Sequence, residues 1–306
     1  MKKCVVVYNS HSGHKKYDIK DIEYKFNEVL IRYGFTCLYF KSKYKGSITE
    51  IVQSLDDDVD LVISVGGDGT FNESMIGNFN RDKRLCLAHL PTGTTNDVGR
   101  MYGYKNDLLT NLKLLLEGEV KTVDVCTLND VPFVYVAGFG KFMNVPYETS
   151  RKSKKILGYL AYIKTGVIEF FNRIKFYKLT YEVDGVKYTG KYSMMFATNT
   201  TKVAGFNNIF TDIKLNDGKF EVLFCDITKK ENLIKSMMLL ATRDISNIPG
   251  FHYHKTDKVK IYNKKMKKII WDVDGEKKVI RTKEIEIKMS KVRLMIPNVN
   301  IDKLFV

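Results

Sequence analysis

Short apolar runs alternate with segments of helical periodicity along the chain up to about Asp124. Cys4 to Tyr8, Thr36 to Phe40, Leu61 to Val65 and Leu85 to Leu90 are dense in β-branched and large apolar residues and too short for helices, so they predict strands. Between them, Ile19 to Tyr33, Thr49 to Leu55 and Leu108 to Leu116 carry apolar positions at helical spacing. Asp60-Leu61-Val62-Ile63-Ser64-Val65 shows no alternation, the pattern of a strand buried on both faces. Strands alternating with helices predict an α/β domain of Rossmann-like type with a parallel sheet, in which ligands sit beyond the carboxyl ends of the strands.

After Asp124 the pattern changes. Pro132 to Ala137, Lys175 to Val183, Tyr192 to Thr198, Phe220 to Phe224, Val259 to Tyr262 and Ile285 to Met289 read as strands, with turns at Asp184-Gly185, Asp217-Gly218 and Asp274-Gly275. This predicts an antiparallel β-sandwich domain, interrupted by helical segments near Lys155 to Asn172 and Lys230 to Thr242. No linker rich in Pro, Gly or Ser and no internal repeat separates the halves, so the chain reads as two closely connected domains, α/β then β.

Composition narrows the class. With 306 residues, 44% of them hydrophobic and 12% aromatic, the chain can fill two cores. No segment reaches the roughly 18 uninterrupted apolar residues of a membrane span, and the apolar run after Lys2-Lys3 is too short for a signal peptide, which predicts a soluble cytoplasmic protein. Five scattered cysteines without metal-type spacing read as reduced core residues. The net charge of +15 favours a polyanionic partner. No nucleic-acid motif accompanies it, whereas Arg151 to Lys155 and Lys264 to Lys268 are basic clusters suited to an anionic bilayer.

The segment with the most chemistry is Ser64-Val65-Gly66-Gly67-Asp68-Gly69-Thr70-Phe71-Asn72-Glu73. Three glycines after a buried strand let backbone amides turn toward an anion, a helix beginning near Asn72 would add its positive end, and Asp68 supplies a carboxylate that can organise Mg²⁺ or water. The P-loop signature is absent. Taken alone, such a turn is also an ordinary strand-to-helix connection.

Together with Pro91-Thr92-Gly93-Thr94-Thr95-Asn96-Asp97, however, this segment resembles the nucleotide site of the diacylglycerol kinase-like lipid kinase family. The resemblance continues in order through Asn9-Ser10-His11-Ser12-Gly13, Leu157 to Tyr162, Asp217-Gly218 and Asp274-Gly275-Glu276, nearly the whole chain. It implies an ATP- and Mg²⁺-dependent lipid kinase, with residues 1–128 and a returning segment 292–306 as the nucleotide domain and residues 129–291 as the lipid-binding and catalytic domain. It assigns to ATP Asn9, Ser10, His11, Ser12, Gly13, Ser42, Gly66, Gly67, Asp68, Gly69, Thr70, Asn72, Glu73, Gly93, Thr94, Thr95 and Asn96. Ser42 stands where the family commonly has threonine, and Ser10 where it usually has proline. Asp68, Asp97 and Asp124 match acids that organise water and Mg²⁺ around the nucleotide, and Glu276 matches the general base, with Asp274 as the alternative base or as the residue that orients the turn. A structural Mg²⁺ is implied at Asp217, with the backbone carbonyls of Lys214 and Lys219.

The resemblance also implies a lipid substrate reached at the anionic inner face of the membrane, diacylglycerol being the expected acceptor, with the acceptor site between the domains. The oligomeric state stays open, a homodimer being among the assemblies allowed. Two other readings remain at this point: an NAD kinase, which shares GGDGT, and a catalytically silent lipid-binding protein that keeps the fold.

Overall fold

The computed structural model describes residues 1–9, 19–93, 96–105, 107–140, 175–200, 202–203, 206–207, 210, 213–227, 229, 232, 236, 239, 245–265, 268–299 and 301–306. The helical segment expected at 155–172, the basic cluster at 151–155 and most of the helix expected at 230–242 lie outside these residues. The described chain divides into two compact units, Met1–Val125 with Lys291–Val306, and Cys126–Ser290.

In the first unit, β1 (Lys2–Tyr8), β2 (Phe35–Lys41), β3 (Leu61–Gly66) and β4 (Leu87–Pro91) form a parallel sheet in the order β2-β1-β3-β4. Its helices are α1 (Ile19–Arg32), α2 (Ser47–Gln53), α3 (Asp68–Phe79), α4 (Asp97–Met101) and α5 (Leu108–Leu116). The absence of alternation in β3 has the expected cause: all six of its residues are buried. Cys4, Val6, Ile63 and Val65 pack with Phe26 and Leu30 of α1 and with the leucines of α5. Asp107 starts α5 by accepting the Thr110 N–H at 2.7 Å.

The second unit has two sheets. Within the unit, β8 (Tyr177–Val183), β9 (Val186–Tyr192), β15 (Lys258–Tyr262) and the first part of β18 (Glu284–Ile296) pair antiparallel in one of them. The other has the order β14-β13-β10-β7-β16-β17, from Phe251–Thr256, Phe220–Cys225, Met194–Thr198, Val136–Gly140, Ile269–Val273 and Glu276–Ile280. Tyr181, Val259 and Ile285 from the first sheet and Phe139, Phe224 and Trp271 from the second share one buried cluster, so the unit is a sandwich. The chain is thus an α/β protein with a separate antiparallel β unit.

Several boundaries differ from the sequence expectation for physical reasons. Helix α3 starts at Asp68, not near Asn72, because the Gly67 carbonyl already accepts the Thr70 and Phe71 N–H groups at 2.9 and 3.2 Å. The run Pro132 to Ala137 is split between β6 (Val131–Phe133) and β7. All five cysteines are free, four of them buried. No described helix is long and apolar enough to cross a membrane.

Candidate active site

In the first unit, the chain leaves β1 in one direction to β2 and in the other to β3 and β4, so the sheet order reverses beside β1, where open α/β sheets bind ligands. Among the described residues assigned to the nucleotide, Asn9, Ser42, Gly66, Gly67 and Gly93 lie at the carboxyl ends of these strands. Asn9 donates its N–H to Val65 O at 3.1 Å, Ser42 donates its N–H to Tyr8 O at 2.8 Å, and Gly66 O accepts the Thr92 N–H at 2.7 Å. The turns after β3 and β4 are therefore joined by backbone.

That junction requires glycine. A Cβ on Gly93 would sit 2.7 Å from the Gly67 Cα and 2.8 Å from Asn96 Oδ1, and a Cβ on Gly66 would collide with the Thr70 side chain. Gly69 differs, since a Cβ there meets nothing within 4 Å. Asp68 ties the turn after β3 to α4: its two carboxylate oxygens accept the Asp97 and Val98 N–H groups at 3.1 and 3.3 Å. Asn96 precedes that helix in the left-handed conformation at φ 49° and makes no cap of its own. An acid 29 residues upstream in sequence thus supplies the first-turn cap of α4. Asn96 donates from Nδ2 to Gly93 O at 2.9 Å, and its buried Oδ1 has no hydrogen-bond partner among the described residues.

Beneath this cradle, His89 is fully enclosed. It stacks on Phe71 at 4.8 Å with Nδ1 3.3 Å from Ser64 O, and burial pushes its pKa down to about 4. Asp124, 4% exposed, lies on β5 (Glu119–Leu128), and Asp97 is half-buried in the first turn of α4. Glu73 points its carboxylate at the Ile48 N–H, 3.3 Å away, and its carbonyl accepts the Thr49 hydroxyl at 3.0 Å, which ties it to the start of α2. Thr70 is buried on α3, and Asn72 lies on the same helix. Ser10, His11, Ser12, Gly13, Thr94 and Thr95 lie outside the described residues.

In the second unit, Asp274 and Gly275 both have positive φ, 52° and 80°, and close the tight turn between β16 and β17. The Asp274 carboxylate accepts three backbone N–H groups, from Val134 and Tyr135 at 2.8 Å each and from Val136 at 3.0 Å. Asp272, 1% exposed, accepts the Gly275 N–H at 2.8 Å. Glu276 opens β17 opposite Val273 and is exposed. Sequence reasoning found the acids of this turn but not the amides of residues 134–136, which are about 140 positions away and carry no side-chain signature.

At the Asp217 loop, Oδ1 accepts the Lys219 N–H at 3.0 Å while Oδ2 pairs with Lys255 at 2.8 Å. Lys255 also lies 3.8 Å from Glu221, which is 1% exposed and has its pKa pushed up to about 7 by burial. Among the described residues no three His, Cys, Asp or Glu side chains come together as metal ligands. The Asp217 carboxylate thus meets one ammonium and one backbone amide.

Comparison with known proteins agrees with this architecture. Residues 3–128 match the diacylglycerol kinase catalytic domain. A Staphylococcus saprophyticus diacylglycerol kinase is 31% identical over 281 residues, covering 90% of this chain and 89% of its own. A Staphylococcus aureus diacylglycerol kinase is 31% identical over 281 residues as well, covering 90% of this chain and 86% of its own. A crystal structure of a diacylglycerol kinase from Bacillus anthracis superposes with a TM-score of 0.73 at 20% identity over 97% of each chain, which is a likeness of fold. The chain belongs to the diacylglycerol kinase family, and it is a lipid kinase.

Proposed function

We propose that this lipid kinase transfers the γ-phosphoryl group of ATP to the hydroxyl of diacylglycerol, giving phosphatidic acid. The observation that carries the reading is the cradle at the carboxyl ends of β3 and β4. There, a Cβ on Gly93 would lie 2.7 Å from the Gly67 Cα and one on Gly67 would lie 3.3 Å from the Gly93 Cα, so the two backbones meet closely, beside a buried Asn96 Oδ1 without a described partner. Such a site admits a nucleotide because amides and a polar oxygen, not side-chain bulk, line it. Asn9, Gly66, Gly67, Gly93 and Asn96 would hold the nucleotide, and Asp68 keeps the two turns together. Asp97 and Asp124 are the acids left to organise water and Mg²⁺ about it; the cation would offset charge on the phosphate oxygens. Glu276 would accept the proton of the lipid hydroxyl as the new P–O bond forms.

That the Staphylococcus relatives are diacylglycerol kinases supports diacylglycerol as the acceptor, and the net charge of +15 supports work at an anionic bilayer. The test is transfer of labelled γ-phosphate from Mg-ATP to a lipid panel in mixed micelles, with NAD present as a competing acceptor. Labelled phosphatidic acid that disappears in Asp68→Ala and Glu276→Gln supports the reading. Labelled NADP, or no lipid product, overturns it.

A further inference from the structure

We infer that Asp274 is a positioning residue, a carboxylate held in a nest of three amides that fixes the turn carrying Glu276. The inference rests on the reading of Glu276 as the base and goes beyond it, because it gives the two acids of one turn separate tasks.

Asp274 makes four hydrogen bonds to a stretch of three residues. Its carboxylate accepts from Val134, Tyr135 and Val136, and its own N–H donates to Val136 O at 2.9 Å. That stretch is fixed in turn by β10, since Thr198 donates its hydroxyl to Tyr135 O at 2.7 Å and pairs with Val136 in the sheet. The turn is also tied from its other side by Asp272 and the Gly275 N–H. Asp274 itself adopts φ 52°, a conformation that Asp tolerates but that surrounding contacts must hold.

A carboxylate that accepts three amide N–H groups is a poor proton acceptor, because protonation would set an O–H against those donors and forfeit their bonds. Asp274 therefore holds the turn. Glu276, two residues on and opposite Val273, takes its starting point in β17 from that anchor. In Asp274→Asn the side chain keeps its shape, but its NH₂ opposes an amide, so the turn shifts without the loss of Glu276.

The experiment compares Asp274→Asn, Glu276→Gln and the double variant in the phosphoryl-transfer assay, with kcat followed against pH and KM measured for ATP. Glu276→Gln is expected to lower kcat by roughly 10²- to 10⁴-fold and to remove the acid limb of the pH profile. Asp274→Asn is expected to lower kcat about 100-fold, the cost of a displaced reacting group, with the acid limb retained and KM for ATP unchanged. The double variant should be no slower than Glu276→Gln alone, because one residue acts through the other. Losses that multiply in the double variant, or an acid limb lost in Asp274→Asn, overturn the inference. A Glu276→Gln enzyme with full activity and an intact limb instead overturns the function reading on which it rests. Should Asp274→Asn not fold, Thr198→Val leaves the carboxylate in place and frees the Tyr135 carbonyl, together with the Thr200 hydroxyl that lies 3.3 Å from the Thr198 hydroxyl. A fall in kcat with the limb intact then supports the anchor, and an unchanged kcat overturns it.

Discussion

The cradle of the first unit and the acid turn of the second are both tight, and they reach tightness by opposite means. At the cradle, side chains are left out: the turns after β3 and β4 touch backbone to backbone at Gly67 and Gly93. At the acid turn, side chains are put in, and Asp272 and Asp274 take up four backbone N–H groups between them. A site that must receive a bulky polyanion exposes main-chain donors by deleting side chains, whereas a site that must aim one carboxylate spends neighbouring carboxylates on main-chain donors. Substitutions should therefore fail differently in the two regions: added atoms break the cradle, and removed charges break the turn.

Gly93→Ala is the largest test of the first half of that statement. Its Cβ would lie 2.7 Å from the Gly67 Cα, a backbone atom that cannot rotate away. The two turns must part, and a displacement on the order of 1 Å at a reacting group costs about 100-fold in rate. We expect kcat/KM for ATP to fall by at least that much while circular dichroism stays that of the parent. Full activity in this variant would show that the contact between the glycines is incidental.

The second test sets the two units against each other in acid. His89, sealed beneath the cradle, has its pKa lowered to about 4 by burial, against an ordinary value near 6.5. A depressed folded-state pKa means that the neutral ring's contribution is complete above about pH 6.5 and is lost as pH falls toward 4, roughly 3 kcal/mol over that window. In the second unit His254 is also lowered by burial, but it is half-buried and shares a hydrogen bond with Tyr181 at 3.1 Å, so the slope there should be shallower. Native-state hydrogen exchange, corrected for intrinsic rates, should show β3 and β4 losing protection before β13 and β10 between pH 6.5 and 4. His89→Leu should flatten the slope of the first unit alone. Equal losses in both units would remove His89 as the cause.

Strands β1, β3 and β4 of the parallel sheet are legible because burial on both faces leaves a plain apolar run, as in Leu61 to Val65, whereas the edge strand β2 is legible by its aromatic and apolar residues although most of them are not buried. Helix α5 is legible with its bounds, since its leucines recur at helical spacing from Leu108 to Leu116. Edge strands were harder: β9 reads Val-Lys-Tyr-Thr-Gly-Lys-Tyr, and its exposed positions and glycine hide the period. Strand β18 was read only as Ile285 to Met289 because Ser290 and Lys291 break the alternation where the chain passes from the second unit to the first. At the site, residue types were readable and partners were not. The glycines and acids announce a cradle, but that Asp68 caps α4, and that Asp274 is filled by amides of 134–136, follows only from contacts between distant positions.

Asp68 offers a smaller test, in which stability and activity separate. Asp68→Ala removes the acceptor for the Asp97 and Val98 N–H groups and should cost about 1 kcal/mol, as the loss of a helix cap does. Asp68→Asn retains one carbonyl acceptor and should recover most of that stability. If the charge of Asp68 also serves the nucleotide, phosphoryl transfer stays low in both variants; if its role is only to clasp α4, activity returns with stability in the Asn variant. Melting temperatures and turnover of the pair distinguish these cases.

The smallest expected change is at Gly69, where the comparison is sharpest. Gly69 belongs to the same glycine turn, yet it has no positive φ, lies within α3, and a Cβ there meets nothing within 4 Å. Local structure therefore gives no reason for glycine. In a helix, Gly→Ala is worth up to about 1 kcal/mol in favour of alanine, so Gly69→Ala should leave the melting temperature unchanged or raise it. The open space beside Gly69 then has a meaning that activity can read. If the phosphates lie against the α3 N-terminus, a methyl group there raises KM for ATP in a protein that is no less stable. If KM does not move, the nucleotide approaches the Gly67 and Gly93 side of the cradle instead, and of the three glycines only Gly66 and Gly67 answer to the omission of side chains that defines this region.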